Sequence, residues 1–440
     1  MTIRHLAQWA VLLGLVAKYD SRAVGTGARA PTRELRPVGP GHLTEGWIET
    51  RLDHFSPADN RTFLQKIAVY DGQWKGPGSP IFLRMPVEAP LNPNKLVQHE
   101  TVYDTAEQFG ALIVSLEHRF YGQSHPQGWA NPTAEQLTYL TVEQSLEDIV
   151  AFQQYITEQY ATGASKWVTW GGSYPGMLAA YHRVKYPSMS AGAVASSAIV
   201  HSEPFSTAPM HYAATHVLGS ECTVAYVNAS RQMDSMVETK SGRVRLRSLF
   251  SGYSSAAALS DDPASWYEFM SDMAGFIAYS CGYNYAVVGA YPWKFPAFAM
   301  CDVMTAASDK LDAFVSQTAQ VCKFRQQMPY PMACSGDLLP RRFFYQMCTE
   351  LGYAGLLYDN RTGFFSPRLT AEAFVAHCQR QFPNIAPPNG TWSESYITEA
   401  DLKGSSNLIF SSGGYDPDFP LQPTSNISDT VTAIVVPKAG

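Results

Sequence analysis

The sequence predicts an α/β protein: a mostly parallel sheet with helices on both faces, interrupted late by an inserted, largely helical cap. Three observations lead there. Short apolar runs of strand length alternate with helical patterns in both flanks of the chain, which implies parallel strands joined by helices. The seven cysteines (Cys222, Cys281, Cys301, Cys322, Cys334, Cys348 and Cys378) all fall in one helix-patterned interval and leave those flanks free of cysteine. A Gly-Gly-Ser turn joins one of the strand-like runs directly to a helix.

The elements follow in chain order. Arg4 and the apolar stretch Leu6–Ala17 have the form of a secretory signal, assigned to residues 1–22, and Arg29–Pro40 reads as a polar leader. Residues 45–204 form the first part of the sheet domain, with strand-like runs at Phe63–Tyr70, Pro80–Arg84, Ala111–Leu116, Lys166–Trp170 and Gly192–Ala195. Thr141 and Gln144 have capping-box spacing, and Leu146, Ile149, Val150 and Ile156 continue as the apolar stripe of a helix. Met177–Tyr186 is a second helix, stopped by Pro187. Residues 205–385 form the cap, with a possible capping box at Ser265 and Glu268 and a helix over Ala371–Phe382. Residues 386–440 complete the sheet with runs at Asn407–Ser411 and Thr432–Val436.

Composition narrows the function. A net charge of −6 gives no basic surface for nucleic acid or anionic membrane, and no later apolar run reaches the length of a spanning helix. No cysteine pair has Cys-x-x-Cys spacing, so a disulfide framework is favoured over a zinc site, with one thiol left over from the odd count. Asn60, Asn228, Asn360, Asn389 and Asn426 each head a glycosylation sequon, whereas Pro132 excludes Asn131. Signal and sequons together point to a secreted glycoprotein. No cofactor or metal is expected.

Gly171-Gly172-Ser173-Tyr174-Pro175-Gly176 carries the chemistry. A strand that reverses into a helix within so few residues needs positions without a Cβ, and Gly171 and Gly172 supply them. The Ser173 hydroxyl then stands above the sheet edge, with the Tyr174 N–H facing a developing oxyanion. Pro175 takes the place of the usual second glycine and falls in the first helical turn, where its missing N–H is no loss. The bland alternative is a glycine-rich turn with a capping serine. On such an elbow an acid follows the serine and a base follows the acid. Asp416, in the turn Gly413–Pro417 after a strand-like run, is the acid candidate, and Asp418 competes with it. None of the eleven histidines follows Asp416, so the sequence is expected to stop where its base belongs. His118 and Arg119, directly after a strand-like run, are read as braces; His54 and His377 are read as structural.

Four strings resemble one family: Leu52-Asp53-His54-Phe55, Pro80-Ile81-Phe82-Leu83, Glu117-His118-Arg119-Phe120-Tyr121-Gly122-Gln123-Ser124, and Gly171-Gly172-Ser173-Tyr174 with its helix. From about Gly46 to the C-terminus the chain is similar to the lysosomal prolyl carboxypeptidase and dipeptidyl peptidase II serine peptidases, a family that includes the thymus-specific serine protease. The resemblance implies an α/β-hydrolase domain with an inserted helical domain, secreted or lysosomal/vacuolar, acting on peptide substrates by exopeptidase cleavage beside proline. It implies Ser173 as nucleophile, Asp416 as acid and Met177 in the pocket for the residue before the scissile bond. The family's Gly-Gly-Glu-Gly type loop reads Met85-Pro86-Val87-Glu88-Ala89 here, so Val87 or Glu88 must lend the second oxyanion N–H. Its Asp-Pro-Trp reads Asp416-Pro417-Asp418, which replaces an aromatic wall of the pocket by an acid. A homodimer is left open. A catalytically inactive, peptide- or partner-binding relative is the alternative function, and an esterase on the same fold is a third.

Overall fold

The computed structural model describes residues 36–37, 42–98, 101–160, 162–200, 203, 205–282, 297–327, 341–352, 356–386 and 395–439. The signal-like segment, Asn389 and Cys334 lie outside them.

The strands are β1 (Arg36–Pro37), β2 (Leu43–Arg51), β3 (Thr62–Tyr70), β4 (Ile81–Arg84), β5 (Leu112–Leu116), β6 (Trp167–Gly172), β7 (Gly192–Ser196), β8 (Leu408–Gly413) and β9 (Val431–Val436). They form one sheet in the order β1-β2-β3-β5-β4-β6-β7-β8-β9. The pairs from β5 through β9 are parallel, and β1 to β3 add an antiparallel edge. This is the α/β class the alternation predicts. β2 had no counterpart among the expected strands, although its Leu43, Ile48 and Thr50 are buried while Glu49 and Arg51 are exposed.

Helices α1 (Thr101–Phe109), α2 (Val142–Gln159) and α3 (Tyr174–Lys185) connect the parallel strands. Thr141 caps α2 by accepting the Gln144 N–H at 3.1 Å. The Gln144 side chain does not close the expected box, because its amide donates to Asp53 and accepts from the His54 N–H. One core lies between the sheet, α2, α3 and the later helices; a smaller one, with Phe82, Ala106 and Ile113, covers the opposite face.

Between β7 and β8 lie α4 (Ala208–Tyr212), α5 (Ser220–Val237), α6 (Lys240–Leu249), α7 (Ser254–Ala257), α8 (Pro263–Gly282), α9 (Ala297–Ala306), α10 (Lys310–Gln327), α11 (Arg341–Gln346), α12 (Ala371–Gln381) and α13 (Glu399–Gly404). α8 begins earlier than the Ser265 cap requires. Asp262 accepts the Ala264 N–H, so Ser265 sits inside the first turn, and Glu268 pairs with His377 instead. Cys222–Cys301 and Cys348–Cys378 are disulfides, Cys322 is also disulfide-bonded, and Cys281 is a free, buried thiol that burial pushes up to about 12. Among the described residues no helix is long and apolar enough to cross a membrane, and no cluster of three potential metal ligands exists.

Candidate active site

The ends of β6, β7 and β8 converge on one edge of the sheet, and Ser173 stands over it. Ser173 is exposed and takes φ 62° and ψ −131° between β6 and α3. A β-carbon residue with positive φ is strained, and such strain concentrates at functional sites. Close packing enforces it. A Cβ on Gly171 would lie 2.1 Å from the Pro175 carbonyl oxygen, and one on Gly176 would lie 2.7 Å from that of Ser196. The Ser173 N–H donates to the Ser196 carbonyl, and the Ser173 carbonyl accepts from Met177. Tyr174 is the first helical residue, and its N–H has no backbone acceptor among the described residues. Met177 is buried one turn into α3.

The loop after β4 starts beside this turn, since the Met85 N–H donates to the Trp170 carbonyl at 2.9 Å. Burial pushes the Glu88 carboxyl up to about 7. Neither the Val87 N–H nor the Glu88 N–H has a backbone acceptor among the described residues.

Asp416 is buried in the turn after β8. Its Oδ1 accepts the Asp418 N–H at 2.9 Å, and its Oδ2 accepts the Gln422 amide at 2.6 Å. The Ser197 hydroxyl is a third partner. Burial raises the carboxyl above its usual range, and these donors only partly offset that. Asp418 therefore serves Asp416 through its backbone. Sequence reasoning missed Ser197 and Gln422; no spacing rule connects either to Asp416. One backbone and one side-chain link join this turn to the serine: the Ser197 N–H donates to the Ser411 carbonyl, and the Ser411 hydroxyl donates to the Ser196 hydroxyl. The last described residues pack here as well, with the Tyr415 N–H donating to the Ala439 carbonyl at 2.7 Å.

The string Glu117–Ser124 after β5 braces the whole edge. Glu117 accepts the Leu91 and Gln123 N–H groups and the Ser124 hydroxyl, which ties the β4 loop down. Gly122 is required there, since its φ is 53° and a Cβ would meet the Glu117 carboxylate at 2.0 Å. Arg119 is fully buried, forks onto both Asp148 oxygens at 2.6 and 2.7 Å, and donates to the Leu52 and Tyr139 carbonyls. Burial works against the Asp148 charge, but Arg119 and His54 outweigh it and hold the carboxyl below its usual range. His118 lies 2.9 Å from the Tyr174 hydroxyl. Helices of the insert cover both ends of the edge. Phe343 meets the Tyr174 ring edge-on at 5.6 Å, Phe298 meets Tyr415 at 5.1 Å, and the Tyr212 hydroxyl donates to the Gly414 carbonyl.

An exposed serine on a strained elbow, beside a helical N–H with no backbone acceptor and with a buried aspartate two strands away, has the layout that acyl transfer uses once a base is supplied. The profile of the family described as serine carboxypeptidase S28 matches residues 50–440. The chain belongs to the serine carboxypeptidase S28 family. Its S28 relatives include the thymus-specific serine protease of Mus musculus, 26% identical over 91% of this chain and 82% of that protein. The lysosomal Pro-X carboxypeptidase of Bos taurus is 26% identical over 89% of this chain and 80% of its own length. A shorter match to the thymus-specific serine protease of Homo sapiens reaches 39% identity over 37% of this chain and 32% of the human protein. The S28 family is one of serine peptidases, so peptides are its substrate class. Asn60, Asn228, Asn360 and Asn426 are all exposed in this member.

Proposed function

We propose that this S28 member is a secreted or lysosomal serine exopeptidase that cleaves peptides with proline beside the scissile bond. Ser173 attacks the substrate carbonyl: its O–H proton passes to a base, a C–O bond forms, and the carbonyl π electrons move onto oxygen. The Tyr174 N–H and that of Val87 or Glu88 hold that oxyanion. Asp416 orients the base and stabilises its cation. No histidine stands between Asp416 and Gly440, so residues other than these supply the base. Met177, buried one turn beyond the elbow, lines the pocket for the proline, and the insert restricts entry to peptide ends. The four exposed sequons fit a glycosylating route. The single observation that carries the reading is Ser173 at φ 62° with the Tyr174 N–H beside it.

A second reading, a peptide-binding relative without catalysis, is favoured by one specific contact. The Gln422 amide fills the Asp416 Oδ2 site at 2.6 Å, where a base would donate its proton. One experiment decides between them. The protein as the cell makes it is exposed to a fluorophosphonate and to two fluorogenic peptides, one releasing a residue after proline and one releasing an N-terminal dipeptide. Labelling of Ser173 with turnover of either peptide supports the enzyme, and the faster peptide names its direction. Absence of both supports the binding protein.

A further inference from the structure

A buried polar chain runs from the helical insert to the residue beside Ser173. Gln346, the last residue of α11, is fully buried. Its Oε1 accepts the Tyr121 hydroxyl at 3.0 Å, and its Nε2 donates to the Tyr174 oxygen at 2.9 Å. His118 fixes the direction of the rest. Its Nδ1 is 2.8 Å from the Arg119 carbonyl, which can only accept, so Nδ1 carries the proton. Burial pushes this imidazole down to about 4, so above that pH Nε2 is a bare acceptor. Nε2 then accepts a hydrogen bond from the Tyr174 hydroxyl at 2.9 Å, while the Ser145 hydroxyl, 3.2 Å from Nε2, donates to the Thr141 carbonyl at 2.8 Å. Each donor is assigned: Tyr121 to Gln346, Gln346 to Tyr174, Tyr174 to His118, and His118 to Arg119. An amide is the side chain that accepts at one atom and donates from the next, as two facing hydroxyls of this polarity require.

Tyr174 is also where the Tyr174 N–H begins α3. Side chain and N–H share one Cα, so what holds the phenol holds the N–H. Ser173, the preceding residue, is in a strained conformation that persists only when its surroundings over-determine it. Gln346 and Phe343, both from α11, are two of the contacts that do so.

We infer that Gln346 is a positioning residue of this peptidase: through the Tyr174 side chain it fixes the oxyanion donor, and so makes the elbow depend on the seated insert. The inference rests on Ser173 being the nucleophile and Tyr174 N–H an oxyanion donor. It requires no contact between Gln346 and substrate.

The test is the rate of fluorophosphonate labelling, read by intact mass, in wild type, Ser173→Ala, Gln346→Leu and Gln346→Glu. Gln346→Leu slows labelling roughly 10–100-fold, the range expected when a reacting group is displaced by about 1 Å. Gln346→Glu supplies a readout that a merely structural residue would not move. A protonated carboxyl donates and accepts as the amide does, whereas a carboxylate donates nothing. This variant labels near the wild-type rate at low pH and loses rate as pH rises through the new carboxyl's pKa, a limb absent from wild type. The titratable groups facing that position are Tyr121, Tyr174 and His118 through the chain, the Glu88 and Glu350 carboxyls, both raised by burial, and the Arg342 guanidinium beside Tyr121. Circular dichroism at each pH verifies that the variant is folded. If wild type labels at Ser173 and both Gln346 variants match it at all pH values, this inference falls alone. If wild type does not label, or labels equally after Ser173→Ala, the nucleophile reading falls and takes the inference with it.

Discussion

Ser173 and Asp416 stand two strands apart on one sheet edge and are held by opposite means. Ser173 is fixed by backbone: a positive φ, two glycines whose Cβ atoms would collide with neighbouring carbonyls, and N–H bonds to β7 and α3. Asp416 is fixed by what its own carboxylate collects, an N–H from Asp418, an amide from Gln422 and a hydroxyl from Ser197. The serine end thus tolerates almost no change in main-chain geometry. The acid end tolerates changes of partner, because a carboxylate with several lone pairs can exchange one donor for another.

Replacing Asp416 by Asn gives the largest effect and tests the softer end. The Gln422 Oε1 is buried without a partner, so its amide can turn over and accept from the new NH2 group. The fold should therefore survive. Labelling of Ser173 should fall by about 10⁴, the loss seen when a triad acid becomes an amide and its base takes the wrong tautomer. A folded Asp416→Asn variant that labels at the wild-type rate would remove Asp416 from the mechanism.

The rigid end breaks differently, and two adjacent glycines make the comparison. An Ala at 171 places its Cβ against the Pro175 carbonyl, whereas an Ala at 172 meets its nearest atoms, in Ser196, only at 3.9 Å. Gly171→Ala should open the elbow, cost about 1–3 kcal/mol of stability by overpacking and slow labelling about 10²-fold. Gly172→Ala should change little. Thermal melts and labelling rates on the pair check this, and equal behaviour of the two variants would mean that the elbow is not held by contact at Gly171.

The same contrast explains what could be read from the sequence. Backbone devices leave residue signatures: Gly171 ahead of Ser173, Thr141 ahead of α2, and the apolar runs that became β3 to β9; Gly172, expected to need the same freedom, has room for a Cβ. Partners made by the folded chain leave none. Gln422 is six residues past Asp416, Gln346 is separated from Tyr174 by most of the insert, and neither position has a pattern to mark it. β2 was missed because its alternation includes Gly46 and charged residues and reads as a loop. The Ser265 box failed for a related reason. Its spacing was right, but Asp262 and Pro263 offered an earlier start, and Pro is well suited to the first helical position.

Glu88 gives the smallest expected effect and sharpens the comparison between the two ends by pH. Like Asp416 it is a carboxyl raised by burial, but with fewer donors to offset that. Its ordinary value of 4.5 is pushed up to about 7, so between those values the folded protein keeps a proton that the unfolded chain has released. Stability from this group is therefore full below about pH 4.5 and is lost as pH rises through about 7. Glu88→Gln has no charge to bury. It should melt with wild type near pH 4 and above it near pH 8, by at most roughly 3 kcal/mol, since each pKa unit is worth about 1.4 kcal/mol. The substitution leaves every backbone N–H in place, so the labelling rate at acid pH should stay near that of wild type, as expected if no transition-state donor has been removed. Melting curves that run parallel from pH 4 to 8 would show Glu88 already ionised in the folded protein.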